Sequence, residues 1–214
     1  PQISDDGNRI AFHSDATTLV SGDSNVQRDA FLRDVAAGTT VRVSLSTAGV
    51  QGNGRSAEVA LSGDGTAVAF ESDASNLVTG DSNAKTDVFI HVLASGVTTR
   101  VSTSAAGAQG NKASAEPSLS RSATVIAFDS LASNLISGDT NNRKDIFTKD
   151  LASGTVTRMS VSTAGVQGND TSRNTSVSAD GQTVAFESDS TNLVANDTNA
   201  AQDVFVRGPS MGAQ

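Results

Sequence analysis

Three observations predict an all-β propeller assembled from one repeated unit. All eight phenylalanines fall on two ladders with a period of 58 residues: Phe12, Phe70, Phe128 and Phe186, then Phe31, Phe89, Phe147 and Phe205. The same period, without insertion or deletion, relates Asp23, Asp81, Asp139 and Asp197, and also Asn53, Asn111 and Asn169. No stretch keeps apolar residues at i, i+3, i+4 and i+7 over three turns, which largely excludes helix. Self-similarity at a fixed period is the signature of a repeat architecture. The units are assigned to residues 1–58, 59–116, 117–174 and 175–214, the last of them incomplete.

The second copy serves to justify the elements in order. A first strand is expected at Glu58–Ser62, closed by Gly63-Asp64-Gly65, a turn whose glycines accept positive φ at little cost. A second follows at Ala67–Ser72, a third at Asp87–Leu93 and a fourth at Thr98–Ser104. Ala94-Ser95-Gly96 makes a short turn between the last two, while Ser72–Thr86 is a long excursion. The third strands read DAFLRDV, DVFIHVL, DIFTKDL and DVFVRG, with apolar residues on both faces. Strands of that kind are buried on both sides. Four-stranded sheets covered by the next copy describe a propeller with one blade per repeat. At about 1.5–3 kcal/mol for each buried large apolar side chain, the rings form much of the core between blades, and stacking of neighbours stabilises the fold.

Runs such as SADGQTVAFESDSTNL with DVFVRG, and SGDGTAVAFESDASNL with DVFIHVLASGVTTRVS, resemble the blade motif of TolB-like, WD-related β-propellers over essentially the whole chain. The resemblance implies the fold. It leaves function open, because the family includes periplasmic scaffolds, adhesin and surface-protein modules, and the non-catalytic propellers of some peptidases. The third copy departs from the pattern: Arg121-Ser122-Ala123 replaces the Asp-Gly turn of Asp6-Gly7, Asp64-Gly65 and Asp180-Gly181.

Pro1 aligns with Val59, Pro117 and Thr175, so the sequence starts on a first strand without an initiator Met or signal peptide, as in a processed product or excised fragment. RGPSMGAQ stands where the third copy has KDLASGTV, so a fourth strand is missing from the last blade. Three arrangements are compatible with this: a small ring with one three-stranded blade, part of a larger ring, or an open assembly whose edge pairs with another chain. Unpaired edges are usually covered, which favours a partner or a further segment. The chain has no Cys, Trp or Tyr and a net charge of −8, as expected of an acidic bacterial β-protein that is secreted, periplasmic or on the cell surface. No apolar run approaches a membrane span. Nucleic acid is not an expected partner, since phosphate binding needs a basic surface; Arg42, Arg100 and Arg158 are expected to pair with acidic neighbours.

The most chemically suggestive motif is Asp-x-Asn-x-x-x-Asp before each third strand: Asp23, Asn25, Asp29; Asp81, Asn83, Asp87; Asp139, Asn141, Asp145; Asp197, Asn199, Asp203. Alternating oxygen-bearing side chains resemble the start of a calcium loop. The fifth position, however, is Gln27, Lys85, Arg143 or Ala201, and the turn glycine is missing. A structural role is therefore expected, in which the first Asp and the Asn cap turn amides and the last Asp ties down the strand, with calcium as the alternative. GVQGN, GAQGN and GVQGN at Gly49–Asn53, Gly107–Asn111 and Gly165–Asn169 are expected to be structural crossovers to the next blade, the alternative being a ring of amides for a carbohydrate or peptide.

No catalytic residues and no cofactor are assigned. His13 aligns with Glu71, Asp129 and Glu187, and His91 with Arg33, Lys149 and Arg207; both histidines are expected to be surface variants, while the acidic series Glu71, Asp129 and Glu187 fits either a lined face or a solvated blade surface. No GxSxG, HExxH or phosphate-cradling glycine motif is present. The expected function is a non-enzymatic, extracytoplasmic scaffold or binding module for protein or surface glycan, with self-association through the open last blade. The alternatives are an accessory propeller of a larger hydrolase and a calcium-dependent lectin or adhesin.

Overall fold

The computed structural model describes residues 1–199 and 201–208, and its fold is an all-β propeller. The first blade contains β1 (Gln2–Ile3), β2 (Arg9–Ser14), β3 (Asp29–Asp34) and β4 (Thr39–Arg42). The second contains β5 (Ser56–Leu61), β6 (Ala67–Ser72), β7 (Asp87–Val92) and β8 (Val97–Arg100). The third contains β9 (Ser114–Leu119), β10 (Val125–Ser130), β11 (Asp145–Asp150) and β12 (Val156–Arg158). The last is three-stranded, with β13 (Ser172–Val177), β14 (Val184–Ser188) and β15 (Asp203–Arg207). Residues 209–214, on which the expectation about the missing fourth strand falls, lie outside the described residues.

Every blade is an antiparallel meander in chain order. Its register pairs the two phenylalanine ladders, Phe12 with Phe31, Phe70 with Phe89, Phe128 with Phe147 and Phe186 with Phe205. The paired rings stack with centroids 5.7–6.1 Å apart, within the range preferred by offset aromatic pairs. Because strand side chains alternate, the rings share one face and the intervening residues the other. The ring face of the second blade (Val68, Phe70, Phe89) packs on Ala11, Ala30, Leu32 and Val43 of the first. The ring face of the third (Ile126, Phe128, Phe147) packs on Ala69, Val88, Ile90 and Val101 of the second, and that of the fourth on Ala127 and Ile146 of the third. Three successive joints thus use the same pair of faces.

The first strands line a common cavity of about 240 Å³, bordered by Gln2, Ala60, Leu61, Pro117, Leu119 and Ser176 among others. They begin earlier than expected, at Ser56 rather than Glu58, and end at Leu61. The reason is a bulge: Ala57 faces Glu71 and Ala60 faces Ala69, so two residues oppose one. Glu58, Glu116 and Asn174 take up the bulge with φ of +39°, +52° and +54°. The unit boundaries at 58/59, 116/117 and 174/175 therefore fall inside β5, β9 and β13. The fourth strand is shorter than expected, stopping at Arg100, because the chain turns away so that Thr103 bridges Gln109 in the crossover. In the aberrant turn of the third copy, Ala123 adopts φ +49° where Gly7, Gly65 and Gly181 sit at +70° to +75°.

Candidate functional site

The meander places the long loops between second and third strands, together with the crossovers to the next blade, at one end of the propeller. Here the two recurring motifs meet in one polar network per blade. The Arg100 guanidinium lies 3.3 Å from Asp81 and 3.4 Å from Asp87. Arg42 stands 3.4 Å from Asp23 and from Asp29, and Arg158 3.5 Å from Asp139 and 3.4 Å from Asp145. All six of these carboxylates are almost wholly buried. The positive charge that a calcium ion would bring to the centre of the motif is thus supplied by an arginine from the fourth strand.

The remaining valences follow the same period. Ser44, Ser102 and Ser160 donate to Asp29, Asp87 and Asp145 at 2.5–2.6 Å. Asn25, Asn83 and Asn141 accept the amides of Gln27, Lys85 and Arg143, closing an Asx turn, and donate to Gly52, Gly110 and Gly168 carbonyls at 2.8–3.0 Å. The capping expected of the Asn is observed, and the first Asp pairs with the arginine, Asp139 also accepting the Asn141 amide. Burial pushes the Asp29 and Asp87 carboxyls upward, and the serine hydroxyls and arginines oppose that shift. Asp139 is raised by burial and then by the neighbouring Asp145. In the last blade Asn199 still donates to Asp203 at 3.2 Å, but Asp203 is half exposed.

The glutamines of the crossover join this network, a coupling that the separate motifs did not reveal. Gln109 donates to Asp81 at 2.8 Å and to Asp87 at 3.2 Å; Gln51 and Gln167 accept from Arg42 and Arg158. The signal was present, since Arg42, Gln51 and Asp29 all recur at 58 residues. The asparagine that follows reaches the next blade. The Asn53 amide donates to Asn76 Oδ1 at 2.9 Å, its carboxamide exchanges bonds with Ser75, and Asn76 donates to the Gln51 carbonyl at 2.9 Å. Asn111 with Asn134, and Asn169 with Asn192, repeat this clasp. The amides weighed as a ligand ring are consumed in it.

Two expectations are corrected. His91 is buried, with Nδ1 2.8 Å from Thr98 Oγ1, which in turn donates to the Leu45 carbonyl of the first blade. Two of its repeat partners reach the preceding blade directly: Lys149 donates to the Val101 and Thr103 carbonyls, and Arg207 to the Ser162 carbonyl. In the third and last blades the position is an inter-blade tie, and burial lowers the pKa of His91 and Lys149. His13 is half-buried and its pKa is also lowered by burial. The acidic series is not solvated throughout either. Glu71 is buried and paired with Arg55 at 3.1 Å, and Asp129 is fully buried with Lys144 at 2.9 Å. Burial drives the Asp129 carboxyl up to about 6, Lys144 opposes that shift, and Glu116 adds to it. On the rim between the first two blades, a groove of about 700 Å³ is lined by Ser46, Thr47, Asn76, Thr79, Asp81 and Thr98.

No protein-family model and no curated protein matches the sequence. Among solved structures, the chain is similar to TolB from Acinetobacter baumannii, at 17% identity and a TM-score of 0.56 over 97% of this chain and 40% of that one. It is similar to a putative TolB from Agrobacterium tumefaciens at 17% identity and 0.59, over 96% of this chain and 59% of that one. Prolyl endopeptidases are also similar, at 14% identity and 0.52, over 86% of this chain and 25% of theirs. The chain thus spans less than two thirds of each of these proteins. Four phenylalanine-centred meanders joined face to face, and the match to both TolB structures over nearly the whole chain, give one conclusion: the chain has the TolB-like β-propeller fold.

Proposed function

We propose that this chain is a non-catalytic propeller module that works outside the cytoplasm as a scaffold or binding platform for protein or surface glycan. One observation carries the reading: the charged residues at repeat positions do the same structural task in three successive blades, Arg between two Asp with Ser and Gln completing the shell. A catalytic centre gathers residues of distinct roles at one point, whereas the first three blades repeat one arginine-centred arrangement. The hydroxyl- and amide-lined groove between the first two blades supplies the kind of surface that hydrogen-bonds a sugar or an extended peptide.

The test is to offer the chain both chemistries: ester, peptide and glycoside substrates for turnover, and immobilised oligosaccharides and peptides for binding. Binding without turnover is expected, weakened several-fold by Thr79→Arg, which fills the groove. Turnover that persists through purification and disappears in Asp129→Asn would overturn the reading. The similarity to prolyl endopeptidases favours a second reading, an accessory propeller of a larger hydrolase. A longer reading frame encoding a nucleophile-bearing α/β domain would decide for it.

A further inference from the structure

The two ends of the blade stack expose the two halves of a joint that the molecule already builds three times. On the last blade, Val204 and Val206 of β15 are 72% and 65% exposed. Their repeat equivalents Val88, Ile90 and Ile146 are buried against the following blade. On the first blade, Ile3 is 60% and Leu19 38% exposed, with Ile10 and Phe12 half-buried. Their equivalents in later blades, Leu61, Leu77, Val68 and Phe70, are buried against the preceding one. Exposed apolar patches on a soluble protein mark interaction sites, and here the complement of each patch is the other.

We propose that the occupant of these faces is a second copy of this chain, stacked head-to-tail so that the Val204 face of one copy covers the Ile3 face of the next. The inference rests on the scaffold reading and gives that scaffold its partner. A preceding unit of the same design would arrive through a Gln-Gly-Asn crossover, which is clasped by the asparagine at positions 76, 134 and 192. The first blade has Thr18 at that position, the one blade without the clasp. Its face is therefore suited to a neighbour that brings no such crossover. A second copy is such a neighbour, since no chain connection runs across a joint between two molecules. Backbone bonds at the turns extend the match: Asp5 donates to the Gly63 carbonyl at 2.8 Å and Arg121 to Ala179 at 2.9 Å, so across the new joint the Ala179 amide meets the Asp5 carbonyl. A joint of two different faces is heterologous, closing a ring if the rotation permits and otherwise extending into a filament. Two copies bring eight blades, within the range in which propellers close.

The experiment is the solution mass of the 214-residue chain by light scattering, alone and as Ile3→Asp and Val204→Asp. Both side chains are exposed, so neither change disturbs the fold, which circular dichroism checks. The chain is expected at twice the mass of one copy or more, and each variant at the mass of one. An equimolar mixture of the two variants retains one intact joint and is expected to recover the mass of two. A chain that stays monomeric at its solubility limit would overturn the proposal. So would association that Ile3→Asp leaves untouched, which would indicate strand pairing along the free edge of β15 instead. Neither result bears on the turnover that would overturn the scaffold reading, so the two fail separately.

Discussion

The third strands of the second and last blades have nearly the same sequence, DVFIHV and DVFVRG, and opposite fates. In the second blade Val88, Phe89 and Ile90 are all buried, with a neighbour on each side. In the last, Phe205 is half-buried against the third blade while Val204 and Val206 face outward. Burial is therefore a property of the joint between blades and not of the strand, as expected for an architecture whose stability is a sum of unit and nearest-neighbour contributions.

The largest expected effect lies in the doubly covered blade. Phe89→Ala removes a ring at a blade-to-blade joint and should destabilise by about 3–5 kcal/mol. Val204→Ala, on a face that only the proposed second copy covers, should change the monomer by less than about 0.5 kcal/mol. Denaturant unfolding at a concentration low enough to keep the chain monomeric measures both, and equal losses would show that the blades do not differ in this way. Second in size is Arg100→Met, which strands Asp81 and Asp87 as buried charges and should cost about 3 kcal/mol or more. Asp203→Ala removes the half-exposed equivalent in the last blade, which has no arginine partner among the described residues, and should cost under about 1 kcal/mol. If the two changes proved equally costly, the arginine would not be the centre of the network.

Much of this was legible because periodicity is a one-dimensional signal. The ladders of phenylalanine and aspartate gave the blade, its four strands and the pairing of Arg100 with acidic neighbours before any coordinates. What stayed hidden depends on which units touch. His91 resembles a surface residue when aligned with Arg33, Lys149 and Arg207, because alignment does not show that it is buried on Thr98, whose hydroxyl donates to the previous blade, or that Lys149 and Arg207 reach that blade directly. The bulge at Glu58 was equally silent: nothing in a Glu or Asn side chain announces a left-handed backbone, which persists only because the strand on both sides holds it. Asp129 shares its repeat position with Glu71, Glu187 and His13, and alignment alone does not show the full burial and the approach of Glu116 that set it apart.

Asp129 supplies an effect that can be isolated by pH. Its folded carboxyl titrates near 6, above the ordinary carboxylate value of 3.8 that holds when unfolded. Between about pH 4 and 6 the folded chain thus retains a proton that the unfolded chain has lost, so stability falls as pH rises through that window. The loss should be about 3 kcal/mol. Asp129→Asn should remove this part of the slope, read as the difference between the two stability–pH curves. Parallel curves for wild type and Asp129→Asn would exclude Asp129 as the source.

The smallest expected effect concerns calcium. In the first three blades an arginine stands 3.3–3.5 Å from both carboxylates of each Asp-x-Asn-x-x-x-Asp motif, and a divalent ion would have to displace a guanidinium that also bonds the crossover glutamine in the first and third. Calcium needs six to eight oxygens, and most oxygens of these motifs already accept from Ser, Asn, Gln or Arg. A chelator should therefore leave the thermal midpoint of the wild-type chain unchanged. The informative case is Arg100→Met, which empties the centre of one motif while keeping its carboxylates. If calcium then restores part of the lost stability, the arginine occupies a cation position that the loop geometry could serve. If it restores none, the loop is built around the guanidinium alone, and a chelator effect on the wild type would have to come from the last blade, where Asp197, Asn199 and Asp203 border an open groove.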